Sequence, residues 1–196
     1  MRAPVTLPNL PAASSPSAAT EDSADSPNHS PRLRASGRAF AQIVQYHPEL
    51  TAFRRDLHAH PELGFEEVYT SSRVLHALKL CGVDEVHTGI GKTGVVAVIK
   101  GQQPAKAGAR PMVGLRADMD ALPMTEHNEF GWKSSKAGLM HGCGHDGHTT
   151  MLVGAARYLA ETRNFAGDAV LVFQPAEEGR GGGVVVRRAA KGYSLY

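Results

Sequence analysis

The segment Asp168-Ala-Val-Leu-Val-Phe-Gln174 is an almost unbroken apolar run of β-branched, aliphatic and aromatic residues. A strand that does not alternate with polar residues needs cover on both faces, which helices packed on an α/β sheet provide. Residues 93–100 (Thr-Gly-Val-Val-Ala-Val-Ile-Lys) and 112–117 (Met-Val-Gly-Leu-Arg-Ala) read as further strands. Three segments read as helices. Residues 48–60 contain Leu50, Phe53 and Leu57, with Pro61 near the end. Residues 66–81 place Val74, Leu75, Leu78 and Cys81 on one face, and Gly82 stops them. Residues 147–162 carry Met151, Leu152, Ala155, Ala156 and Leu159 at helical spacing. Helices alternating with apolar strands predict an α/β domain, its helices packed on a mixed, largely parallel sheet.

Order is expected from near Phe40. Residues 1–37 are rich in Pro, Ala and Ser and poor in large apolar side chains, so they read as a disordered N-terminal extension. They lack the basic and apolar regions of a secretory signal, and Glu21, Asp22 and Asp25 argue against a mitochondrial transit peptide. Net charge is +2, from 21 basic and 19 acidic residues, which gives no electrostatic case for a nucleic-acid partner. The longest apolar run is far short of the ~20 residues of a membrane span. Cys81 and Cys143 are too few for a disulfide framework, and a reducing, cytoplasmic setting is expected.

The chemistry-bearing residues fall at element ends. Asp118 and Asp120 follow one strand, Glu177 and Glu178 follow another, and Cys143 and His145 precede a helix. Sites in open α/β sheets gather outside the carboxyl ends of strands. The segment His141-Gly-Cys-Gly-His-Asp-Gly-His148 packs three imidazoles, a thiol and a carboxylate among glycines that let the backbone bend around a small ion. Thiolate with imidazole suits Zn²⁺ or a similar divalent ion. Cys143 and His145 are stronger ligand candidates than His141 and His148. His148, at helical spacing from His145, is equally placed to pack on a ligand or orient it.

Neighbouring carboxylates in an extended segment point opposite ways. One member of the Glu177–Glu178 pair can therefore face a metal while the other faces a substrate. Asp118 and Asp120 alternate onto one side of the chain, suited to orienting a ligand imidazole, to direct ligation, or to a plain acidic turn. Arg116 can pair with either. His58-Ala-His-Pro-Glu62 looks like a ligand set but begins where a helix ends, and a capping role is the preferred reading. The segment 89–94 resembles a phosphate loop only faintly, since it precedes a strand and its spacing does not match. No Gly-x-Ser-x-Gly elbow is present.

Four segments occur in order: Arg54-Arg-Asp-Leu-His-Ala-His-Pro-Glu-Leu-Gly-Phe-Glu-Glu67, Leu115-Arg-Ala-Asp-Met-Asp-Ala-Leu-Pro123, His141 to His148, and Phe173-Gln-Pro-Ala-Glu-Glu-Gly179. Together they closely resemble the M20 peptidase family, in the branch of hippurate hydrolase and the indole-acetyl-amino-acid hydrolases. The resemblance implies a Zn-peptidase-like catalytic domain that binds two divalent ions, Zn²⁺ or Mn²⁺, and hydrolyses N-acyl amino acids. It makes Cys143, His145 and Glu178 metal ligands. Glu177 becomes the general base, taking a proton from the attacking water and passing it to the leaving amine. It leaves homo-oligomerisation open.

In that family two further His ligands and an inserted lid domain follow. No His follows His148 in this sequence. Residues 38–183 are therefore expected to match the N-terminal part of the catalytic domain, truncated and without its lid. Residues 184–196 depart from the family pattern, and reading the codons for Lys191 to Tyr196 out of frame can restore a family-like Gly-Leu-Phe segment. The expectation is a frameshifted tail, weak metal binding and little or no activity.

Overall fold

The computed structural model describes residues 31–105, 110–179 and 181–190. Its elements are α1 (Pro31–Ala59), α2 (Val68–Cys81), β1 (Glu85–Ile90), β2 (Gly94–Lys100), β3 (Met112–Asp118), α3 (His145–Thr162), β4 (Asp168–Gln174) and α4 (Gly182–Ala190). The strands form one sheet in the order β1-β2-β4-β3. β4 lies inside it and explains the unbroken apolar run. Its Ala169, Leu171 and Phe173 face the larger core, with Phe53, Leu57, Leu78, Leu152 and Ala156 of the helices. Its Val170 and Val172 face a smaller core with Ile90, Val96 and Val186. Leu171 and Phe173 are fully buried, each worth roughly 1.5–3 kcal/mol of apolar transfer.

The sheet is mixed, as expected, but parallel only where β3 meets β4. β1–β2 and β2–β4 are antiparallel, so parallel pairing is a smaller share than the sequence reading put it. The reason is a strand that reading did not place. β1 (Glu-Val-His-Thr-Gly-Ile) is mostly polar and lies at the sheet's edge, where an apolar pattern is not needed. It turns into β2 through a hairpin in which Gly89, Gly91 and Lys92 have φ of 75°, 62° and 80°. Residues 89–94 are this hairpin and no phosphate loop.

The helix expected at 48–60 begins at Pro31 and runs through Pro48. An interior proline costs a helix about 3 kcal/mol, which made it read as a start. Packing before it outweighs that cost. Tyr46 is buried against α3, it and Gln42 donate hydrogen bonds to Glu161, and Arg157 stacks over its ring at 4.0 Å. The helix thus reaches back into residues expected to lie outside the fold, while residues 1–30 fall outside the described ones. α4 covers all of the described part of the expected aberrant tail, and residues 191–196 also lie outside.

α2 ends as read, at Gly82 in the left-handed region (φ 71°), whose N–H donates to Lys79 O. Its start is held from outside, because Glu62 accepts bonds from the N–H groups of Tyr69 (3.0 Å) and Thr70 (2.9 Å). These are free donors in a first helical turn, where a carboxylate is favoured. Parallel pairing of β3 with β4 sets Asp118 opposite Gln174. That register levels the two carboxyl ends and brings the segments after them together.

A candidate metal centre

Three segments meet at this end of the sheet: the residues after β3, those after β4, and the loop entering α3. Gly144, at φ 78°, turns the loop so that His145 becomes the first residue of α3. The buried His145 ring is gripped from one side. Its Nδ1 lies 2.8 Å from the backbone carbonyl of Asp120 and 3.2 Å from that residue's Oδ1. Nδ1–H therefore donates to Asp120, which leaves the Nε2 lone pair facing outward. Nε2 lies 3.9 Å from Glu177 Oε2 and 4.0 Å from Glu178 Oε1. The other oxygen of Asp120 accepts the N–H of Glu178 at 2.9 Å. One buried carboxylate thus orients a ring and the backbone of a neighbouring acid.

The sequence-predicted residues converge. Donor atoms of Cys143, His145 and Glu178 lie within 4.8 Å of one another, with Glu177 beside them. A second group, Asp118, His145 and His148, meets the same 4.8 Å limit. Both groups draw on His145, whose Nδ1 is committed to Asp120 and whose single free lone pair serves one ion. Nε2 faces the Glu pair, so the first group is the better built. Asp118 pairs with Arg116 at 2.5 Å, and His148 tilts against the His145 ring with centroids 5.2 Å apart.

The electrostatics suit a cation. Burial acts to raise the Asp120 pKa, but bonds from the His145 ring and the N–H groups of Glu178 and Glu177 outweigh it and hold it low. Burial acts to lower that of His145, and its bonds to Asp120 outweigh this and raise it. The Cys143 thiol is pushed up to about 11, first by its bond to Glu178, then by burial and the charges of Glu178, Glu177 and Asp120. A thiol surrounded by carboxylates is a poor thiolate by itself. A divalent cation among the same groups reverses that balance. Thiolate, imidazole and carboxylate with an open side fit a borderline ion such as Zn²⁺.

His58 and His60 are engaged elsewhere. His58 is buried and bonds Asp146 Oδ2 through Nδ1 (2.7 Å) and Glu126 Oε1 through Nε2 (3.0 Å). Arg54 Nε also reaches Asp146 Oδ2, at 2.7 Å. His60 Nδ1 donates to Asp56 O at the end of α1, a capping contact like the one preferred for this segment. His141 is buried, and neither ring nitrogen has a hydrogen-bond partner among the described residues. Burial pushes its pKa down to about 4. The sequence alone assigns no role to Asp146, Glu126 or Glu67. Asp146 stood inside the quoted cluster, but its partner His58 is 88 residues away, and no spacing signal spans that distance.

The profile of peptidase family M20/M25/M40 matches residues 114–194, which include every residue of the candidate centre. Hippurate hydrolase of Campylobacter jejuni is 50% identical over 141 residues, covering 72% of this chain and 35% of that protein. Residues 114–194 thus carry the sequence of the M20 family. An N-acyl-L-amino acid amidohydrolase of Geobacillus stearothermophilus is 45% identical over 131 residues, covering 66% of this chain and 34% of that protein. Among solved structures, the Bacillus subtilis YXEP protein, described as a dinuclear metal binding peptidase of the M20 family, superposes with a TM-score of 0.69 at 39% identity. That match covers 76% of this chain and 40% of that one. The chain therefore spans about a third of the length of its curated M20 relatives. No helix among the described residues is long and apolar enough to cross a membrane.

Proposed function

We propose that this chain carries the metal-binding and general-base residues of an amidohydrolase that cleaves the amide bond of N-acyl amino acids. The observation that carries the reading is the convergence of Cys143, His145 and Glu178 within 4.8 Å, with Glu177 at 3.9 Å from the ring of His145. Cys143, His145 and Glu178 would hold a divalent ion, Zn²⁺ or Mn²⁺. Such an ion supplies Lewis acidity, making water a better nucleophile at neutral pH and polarising the amide carbonyl.

The remaining work falls to this chain's own residues. Glu177 is the more exposed of the pair, and the carboxylate of Glu178 is engaged by the Cys143 thiol, so Glu177 is the one placed to move a proton. It accepts one from the attacking water and delivers it to the departing nitrogen. Asp120 fixes the tautomer and orientation of His145. Asp118 and His148, beside the centre, supply a further carboxylate and imidazole for a second ion or for orienting the first. The relatives' names, hippurate hydrolase and N-acyl-L-amino acid amidohydrolase, support an acylated amino acid as substrate.

Three protein donors with a position left open are the donor set of a catalytic zinc site. The test is hydrolysis of hippurate and other N-acyl amino acids with added Zn²⁺ or Mn²⁺, comparing the chain with Glu177→Gln. Metal-dependent release of the amino acid that Glu177→Gln abolishes, with metal still bound, supports the reading. Hydrolysis that is indifferent to Glu177→Gln contradicts it. Metal bound with no hydrolysis of any amide would favour a non-catalytic metal-binding module.

A further inference from the structure

Among the described residues, four non-glycine residues have positive φ: Phe65 (66°), Lys92 (80°), Arg163 (47°) and Ala176 (51°). Arg163 caps the end of α3. The other three surround one side chain, Glu67. Phe65 lies two residues before it. Lys92 precedes Thr93, whose Oγ1 donates to Glu67 Oε2 at 2.5 Å. Ala176 donates its N–H to Glu67 Oε1 at 2.8 Å. Lys92 closes the ring of contacts, its Nζ 5.0 Å from the centre of the Phe65 ring. Glu67 is fully buried, and each of its oxygens is engaged by a different loop.

Burying a carboxylate is unfavourable unless its bonds are strong, and an alanine holds a left-handed conformation only where its surroundings impose it. Both features meet immediately before the Glu pair. The turn is fixed at three points. Glu67 holds the N–H of Ala176, Gly182 donates to the carbonyl of Ala176 at 2.9 Å, and Asp120 holds the N–H of Glu178. A side chain at Gly182 would collide with the backbone of Pro175, so the last contact of the turn admits only glycine.

We propose that Glu67 is a positioning residue for the Glu177–Glu178 pair: by fixing Ala176 in its strained conformation it sets the direction in which both carboxylates leave the chain. It touches no ligand atom and acts through one backbone N–H. The inference rests on the metal-site reading and adds a residue outside the ligand set.

Cobalt(II) titration of the full chain tests it. The thiolate-to-cobalt charge-transfer band reports Cys143, and the ligand-field bands report the remaining donors. Glu67→Ala is expected to keep the thiolate band, shift the ligand-field bands and weaken binding about tenfold or more. Glu67→Gln, whose amide oxygen still accepts the Ala176 N–H, is expected to retain most of the wild-type affinity. In a Glu178→Ala background, Glu67→Ala should weaken binding no further, which a general loss of structure would not reproduce. Wild-type affinity and spectrum in Glu67→Ala would overturn the inference, as would full additivity with Glu178→Ala. If Glu67→Ala does not fold, Thr93→Val takes its place. It removes one anchor and leaves the other, and is expected to move the same bands by less, so an unchanged spectrum and affinity there would overturn the inference. Absence of any thiolate band in the wild-type chain would instead overturn the metal-site reading.

Discussion

Replacing Asp120 should weaken metal binding without unfolding the chain, by an amount the contacts define. Its carboxylate meets the centre through Oδ1 to His145 Nδ1 at 3.2 Å and Oδ2 to the Glu178 N–H at 2.9 Å, and it also takes the Glu177 N–H. Hydrogen bonds to a charged group are worth about 1.5–3 kcal/mol each. The His145 ring keeps a second anchor, the backbone carbonyl of Asp120 at 2.8 Å, which no side-chain substitution removes. The loss in Asp120→Ala therefore falls mainly on Glu178 and only partly on His145. That corresponds to roughly 10–100-fold in affinity, or about 1.4–2.7 kcal/mol. Asp120→Asn keeps an oxygen for the Glu178 N–H and loses the charge facing His145, so its loss should be nearer tenfold. Competition titration of Zn²⁺ against a chromophoric chelator measures both, with far-UV circular dichroism as the folding control. Wild-type affinity in a folded Asp120→Ala chain would refute the claim that this carboxylate orients the ligands.

Two further outcomes follow from the fold. Burial acts to raise the Glu126 pKa, but bonds from the Ser134 N–H, the Asn128 amide and His58 outweigh it and hold it at about 2, against 4.5 ordinarily. A carboxylate with a depressed folded-state pKa contributes stability that is complete above pH 4.5 and lost as pH falls toward 2, here about 3 kcal/mol. Urea unfolding should therefore show a steep acid loss that is shallower in Glu126→Gln, and identical slopes would contradict the network around His58. Gly82 has φ 71° with open space around its Cβ position, so Gly82→Ala should cost only the left-handed backbone penalty of about 1–2 kcal/mol. Thermal unfolding that is unchanged in that variant would show that α2 does not end there in solution.

The sequence was most legible where burial is two-sided or chemistry is dense. β4 was bounded correctly because its residues pack into both cores, and Gly82 because glycine enters a left-handed cap without a Cβ penalty. Cys143, His145 and the Glu pair were legible because ligand types crowd into short segments at element ends. β1 was not, since an exposed edge strand carries no apolar pattern. The true extent of α1 was hidden by Pro48, whose local cost is outweighed by contacts of Tyr46 and Gln42 with a helix more than a hundred residues later. Glu67 and Asp146 were visible as letters only. Their roles depend on Ala176 and His58, and no local propensity encodes a partner so distant.

Cys143, His145 and Glu178 are proposed to form one metal site in this chain. Cobalt(II) titration of the wild-type chain beside Cys143→Ser and His145→Ala tests it most directly. Weak but saturable binding of one ion per chain is expected, with a thiolate charge-transfer band that Cys143→Ser abolishes and an affinity that His145→Ala sharply lowers. Binding that never saturates, or a spectrum unchanged by Cys143→Ser, would contradict it.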